Sequence, residues 1–216
     1  MPTHTPGFPP GTLADDGLPI WISEVASTER HHALHVVRGR DPRQTLEALD
    51  ADPGRIRTCV LPAAGTGPYT SLPAAFLADE CGDSGTLLSG TNGSWTFVYD
   101  DAACVDEEVL AELSCGGRAA ASTTFSVNAD VSLAYAVDGS VACHVDLDDL
   151  VLERDLPHMP DALRTAFRAA GTIEHDCLSA GEADHEICMR AVCALAGLAW
   201  TVGDLRGAPL LVAPYE

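Results

Sequence analysis

Four groups of residues in this chain have the types and spacing to do chemistry. Residues 27–41 read STERHHALHVVRGRD, with His31, His32 and His35 inside five positions. On a helix, His31 and His35 would share a face with His32 beside them, a set able to hold zinc through imidazole nitrogens. Residues 184–189, DHEICM, start like the zincin helix H-E-x-x-H with His185 and Glu186, but Met189 stands where the second histidine is needed. In HVDLDD, 144–149, the residues His144, Asp146 and Asp148 alternate. Along a strand they share one face, opposite Val145 and Leu147, where they could bind a cation or act as general acid and base. Arg38 and Arg40 flank Gly39 just before a helix start, where the first backbone amides would help them hold an anion.

Each group has a blander competitor. The run ALHVV is apolar and β-branched, so 33–38 reads as a strand. The histidines then straddle a helix–strand junction, their rings diverge, and no second ligand motif completes a site. No metal is expected there. His185 and Glu186 read as the charged outer face of a helix. The alternation in HVDLDD is what any half-exposed strand shows, and such charges also discourage edge-to-edge pairing. Arg38 and Arg40 have many carboxylates available as partners. There is no G-x-S-x-G, Walker loop or G-x-G-x-x-G, so no cofactor is expected. His144, Asp146 and Asp148 are left as candidate catalytic residues, with Arg38 and Arg40 as candidate ligand-binding residues.

The elements that must position these groups follow from pattern and punctuation. Residues 19–29 predict a short helix burying Ile20, Trp21 and Val25. After the 33–38 strand, Asp41 is an N-cap and Pro42 opens a helix with Leu46 and Leu49 on one face. Residues 57–63 and 95–100 predict strands. Asp106 caps a helix with Val109, Leu110 and Leu113 inward, stopped by Gly116 and Gly117, and 121–127 follows as a strand. Strand, capped helix and strand thus occur twice, near 33–63 and 95–127, through either an internal duplication or chance. Residues 62–93 are rich in Gly, Pro, Ser and Thr, and predict a long loop.

VSLAYAVDGSVACHVDL predicts a hairpin turning at Asp138-Gly139. Pairing Val137 with Val141, Tyr135 with Cys143 and Leu133 with Val145 keeps one face apolar, which requires a three-residue connection or a bulge at 138–140. Helices are expected at 161–170 and after a Ser179/Glu182 capping box, with closing strands in AWTV and LLVA. The fold class is α+β: a mainly antiparallel sheet with helices on one face. Residues 1–18, rich in proline, are expected as a flexible tail, and 19–216 as one domain.

Composition narrows the function classes. Thirty-two acidic residues face 12 basic ones, all arginine, for a formal net charge of −20. Such a surface repels phosphate backbones, so direct nucleic-acid binding is disfavoured, and a basic protein partner fits better. No apolar run approaches the length of a membrane span. The eight cysteines have irregular spacing and no C-x-x-C, and no export signal precedes them, so a reduced cytoplasmic setting is expected. Cys59, Cys143, Cys188 and Cys193 lie in apolar patterns, whereas Cys81, Cys104 and Cys115 lie near polar turns.

Trp21, VVRGRDP at 36–42 followed by TLEAL, GSWTFVYD at 93–100, VLAELSCGGRAAAS at 109–122 and FSVNADVSLAYAVDG at 125–139 resemble a mainly actinobacterial family of unknown function, DUF6461. The resemblance spans about residues 20–213 and departs in 62–92, which is longer and richer in Gly and Pro. It implies one intact α+β domain and no established activity. The expected function is a non-catalytic, protein-binding module of the regulatory or immunity-protein kind. The alternative is a small-molecule or peptide-modifying enzyme built on the 141–148 strand. Whether the chain is an enzyme, and its oligomeric state, stay open on sequence alone.

Overall fold

The computed structural model describes residues 6–28, 31–78, 85–103, 109–126, 128, 130–146, 152–171 and 184–215. An eight-stranded antiparallel sheet forms the frame: β1 (His32–Arg38), β2 (Arg57–Cys59), β3 (Gly85–Asn92), β4 (Trp95–Asp100), β5 (Ala119–Phe125), β6 (Val131–Val137), β7 (Ser140–Asp146) and β8 (Leu210–Tyr215). Their order is β2-β8-β3-β4-β1-β5-β6-β7. The helices are α1 (Ile20–Val25), α2 (Pro42–Ala48), α3 (Leu72–Phe76), α4 (Val109–Ser114), α5 (Leu152–Asp155), α6 (Asp161–Ala169), α7 (Asp184–Leu195) and α8 (Val202–Gly207), with a 3₁₀ turn at Leu156–His158. None of the described helices is long and apolar enough to cross a membrane.

The α+β class and the antiparallel sheet agree with expectation, but helices cover both faces rather than one. On the first face, Leu34, Val36, Phe97, Tyr99, Leu133 and Tyr135 pack with residues of α1, α6 and α7. On the second, Val37, Val98, Ala120 and Ala136 pack with Leu46 and Leu49 and with Leu110 and Leu113, contributed by α2 and α4. The sequence carries the reason. Six of the seven β1 residues are buried, and a nearly unbroken apolar strand is the mark of a sheet covered on both sides.

Both strand–helix–strand units are present as crossovers. In this strand order β1 runs parallel to β2, and β4 runs parallel to β5. The first crossover passes over β4, β3 and β8, the second over β1 alone. Their helices share a face, while their starting strands and lateral directions are both opposite, so the two crossovers have the same hand.

Three expectations need correction. Residues 62–93 are not one loop: they contain α3, N-capped by the Ser71 hydroxyl, and β3, which lies inside the sheet between β8 and β4. The described part of the N-terminal segment is packed, not free. Phe8 and Leu18 are buried, Gly7 N–H donates to Ala169 O, and the Arg190 guanidinium donates to Gly17 O. AWTV does not form a strand. Thr201 instead opens α8 through a capping box with Asp204, which outweighs the short apolar run.

The hairpin combines agreement and correction. Tyr135 pairs with Cys143 and Leu133 with Val145, as expected. However, Val137 pairs with Ser140 across a two-residue turn, and the bulge lies within the ladder, between Tyr135 and Ala136. Asp138 and Gly139 both take positive φ, 48° and 80°. That is the tight turn whose twist matches the flanking strands, so the extra residue is taken up where the strands have already paired.

Candidate functional site

β7 ends the sheet, pairing with β6 and with no other described strand. Beside it lies a cleft of ≈430 Å³ lined by Cys143, His144, Asp146, Arg154, Asp155 and His158, among others. His144 and Asp146 project from one side of the strand and Cys143 and Val145 from the other, yet all four line the same space. The cleft therefore runs along the outer edge of the strand. His144 and Asp146 both line this cleft, while Asp148 falls outside the described residues. Arg154 and Asp155 are paired at 2.6 Å on the cleft wall. Burial, and secondarily the Asp155 carboxylate, push the Cys143 thiol up. That disfavours the thiolate and with it a nucleophilic role.

Arg38 and Arg40 do not converge. Arg38 is exposed on the first face near Tyr135, whose hydroxyl is pushed up by burial against the opposing pull of the guanidinium. Arg40 turns instead toward α2 and α4, lining a second cavity. The α2 start offers no anion site between them. The Asp41 carboxylate already accepts from Arg43 N–H at 2.9 Å and Gln44 N–H at 3.4 Å.

Two motifs that read as unimportant in the sequence meet in the interior. His32 is fully buried on β1, and His185 and Glu186, at the start of α7, are buried against it. They do not form a charged outer face. His32 Nε2 lies 3.1 Å from His185 Nε2, and the ring centroids are 5.2 Å apart. A centroid separation that much longer than the nitrogen contact means that the rings meet nearly head to head, as in an N–H···N hydrogen bond.

Burial, then Asp101 and Asp100, push the Tyr99 hydroxyl well up, so it stays protonated, with its oxygen 3.4 Å from His32 Nδ1. With Tyr99 as the donor in that contact, His32 carries its proton on Nε2 and donates to His185 Nε2. On the far side, His185 Nδ1 faces Glu186 Oε1, 3.7 Å away. Tyr99, His32, His185 and Glu186 thus form a row of polar groups between the sheet and α7. The Phe125 ring lies 4.5 Å from His185 by centroids.

The other members of the histidine cluster do diverge. His35 points to the opposite face, where its Nδ1 lies 2.8 Å from Ser122 Oγ. His31 is half-buried. Among the described residues no three His, Cys, Asp or Glu side chains are placed to hold a metal ion.

The model of a family of unknown function, DUF6461, matches residues 13–200. That is most of the chain, which therefore belongs to this family. No curated protein and no solved structure matches it.

Proposed function

With membership of a family that has no assigned activity as the premise, we propose that this protein is a non-catalytic binding module. It takes an extended, basic segment of a protein partner along the outer edge of β7. The observation that carries this reading is the cleft itself, which borders both sides of an edge strand. A sheet edge offers unpaired backbone groups to an incoming strand, and the flanking cleft accommodates its side chains. Asp146 and Asp155 outnumber Arg154 on the cleft wall, and the chain carries a formal charge of −20. Both favour lysine and arginine over acidic side chains in the partner. The enzyme reading draws on the same cleft, through His144 and Asp146. The raised Cys143 thiol weighs against it.

The test uses the full chain and two synthetic octapeptides, one alternating arginine with valine, the other glutamate with valine. The basic peptide is expected to shift backbone amide resonances of residues 140–146 and 154–158 saturably, and the acidic one to leave them unmoved. Charge reversal by Asp146→Arg is expected to weaken binding at least tenfold. Shifts scattered over the whole surface, or equal binding by the reversed variant, would sink the proposal.

A further inference from the structure

On the second face of the sheet, α2 and α4 flank a cavity of ≈480 Å³ lined by Arg40, Gln44, Glu47, Glu112, Cys115 and Arg118, with Ala48. It is open to solvent, with Gln44, Glu47, Glu112 and Cys115 all exposed. The cavity holds two cations and two carboxylates in a chain whose acidic residues outnumber its arginines 32 to 12. Pairing between arginines and glutamates at a protein surface is worth little, so these groups are open to a bound molecule that offers more. Here, among the described residues, no ion pair joins any of the four. All four line the same space.

The frame that holds them is well fixed. Gly39, with φ 74°, turns the chain out of β1 and donates N–H to Ser94 O. Arg40 O then accepts from the Thr96 hydroxyl, which sets where the Arg40 side chain leaves the backbone. On the other wall, Gly116 and Gly117 both take positive φ, and Gly117 N–H donates to Asp138 Oδ1 at 2.8 Å. The Arg118 guanidinium is oriented by two carbonyls, Gly39 O at 3.4 Å and Cys115 O. Glu47 stands on α2 and Glu112 on α4, so the carboxylates come from the two helices and the arginines from the two turns.

We propose that this cavity binds a zwitterion of amino-acid size, with its carboxylate on Arg40 and Arg118 and its ammonium group on Glu47 and Glu112. A simple anion would meet the repulsion of both glutamates, and a simple cation that of both arginines. A molecule carrying both charges satisfies the four groups together. The site lies on the opposite face of the sheet from α7 and away from the β7 cleft, so it stands independently of the peptide-binding reading.

Cys115, exposed on the wall of the same cavity, supplies a built-in reporter. The experiment alkylates the full chain with iodoacetamide and follows the Cys115 peptide by mass spectrometry. The three additives are L-glutamine as the zwitterion, sodium acetate as the anion and ethylammonium chloride as the cation. L-Glutamine at millimolar concentration is expected to slow Cys115 alkylation at least threefold and saturably, while acetate and ethylammonium leave it unchanged. Arg40→Gln and Glu112→Gln, both at surface positions, should each raise the concentration needed for protection at least tenfold. No protection by L-glutamine up to 20 mM (about the weakest binding of interest), equal protection by acetate, or protection unaltered in both variants would overturn the proposal.

Discussion

His32 Nε2 and His185 Nε2, separated by 153 residues of chain, meet at 3.1 Å in the buried layer between β1 and α7. The contact gives α7 a polar attachment to the sheet inside a largely apolar interface.

The first prediction concerns this pair. His32→Leu removes the partner of both the Tyr99 hydroxyl and His185 Nε2, leaving both groups buried without it. Each orphaned group should cost about 1–3 kcal/mol of stability. Replacing both histidines with leucine should cost less than the sum of the single replacements, because the second substitution removes a group already orphaned. Urea denaturation of the two single variants and the double variant closes the cycle. Strictly additive losses would show that the contact carries no coupling. Nitrogen-15 chemical shifts check the tautomers: His32 should be protonated at Nε2 and His185 at Nδ1.

How far this arrangement was legible in the sequence differs from part to part. The strands rich in β-branched and aromatic residues, HALHVVR and WTFVYD, announced themselves, and so did the Asp41-Pro42 helix start, because those signals are local. The second helix layer was written in the same strands. Leu34 and Val36 face one way, Ala33 and Val37 the other, whereas the hairpin and helix patterns alone predict a sheet covered on one side. β3, GTLLSGTN, was hidden because its glycine and hydroxyl residues resemble loop composition. Their reason lies on other strands: Gly90 sits under the Phe97 ring, and the Ser89 hydroxyl donates to Phe97 O. The histidine pair was illegible for a different cause. Nothing near His32 in the chain indicates that residue 185 will lie against it.

A second prediction concerns Asp101. Its carboxylate accepts from the Ser71 hydroxyl and from Thr86 N–H and hydroxyl, tying the start of α3 to β3. Burial nevertheless pushes its carboxyl up from the usual value, outweighing those hydrogen bonds, with Asp100 adding to the rise. The folded state therefore holds this proton more tightly than the unfolded chain does. The contribution to stability falls as the pH rises from the unfolded value, about 4, through the folded one, and the penalty is complete above it. In Asp101→Asn that dependence disappears. The stability difference between the variant and the native chain should move in favour of the variant as the pH is raised from acid toward neutral. Denaturant titrations at several pH values measure this, and a difference that is flat or drifts the other way contradicts it.

A third prediction tests β3 as a strand of the core. A Cβ added at Gly90 would come within 2.8 Å of the Phe97 ring and 3.0 Å of Leu210 Cδ2. Both neighbours are buried, and Phe97 is held in place by Trp21, at 5.4 Å between ring centroids, and by Trp200, at 5.5 Å. The ring has little room to retreat, so Gly90→Ala should destabilise by about 1–3 kcal/mol through overpacking. The control is Gly207→Ala, where nothing lies within 4 Å of the new Cβ. Equal stability of the two variants by thermal or urea unfolding would show that residues 85–92 are not packed as a central strand.

The last prediction ranks the described thiols by their access and ionisation. Cys115 is exposed, Cys143 half-buried, and Cys59, Cys188 and Cys193 buried. Burial pushes the Cys59 thiol up to about 11 and that of Cys193 higher still. At a value near 11, roughly one Cys59 in a few thousand is ionised at pH 7.5, and the thiolate is the form that attacks an alkylating agent. Cys143 is pushed up as well, by burial and by Asp155. Native alkylation with iodoacetamide, read peptide by peptide, should therefore label Cys115 first and Cys143 more slowly. Cys59, Cys188 and Cys193 should be labelled only as the protein unfolds. A urea series at constant alkylating strength separates the two classes, since labelling of the buried three should follow the global unfolding curve while that of Cys115 stays level. Labelling of Cys193 ahead of the transition would show that α7 leaves the sheet independently of the rest of the fold, which the buried His32–His185 attachment should prevent.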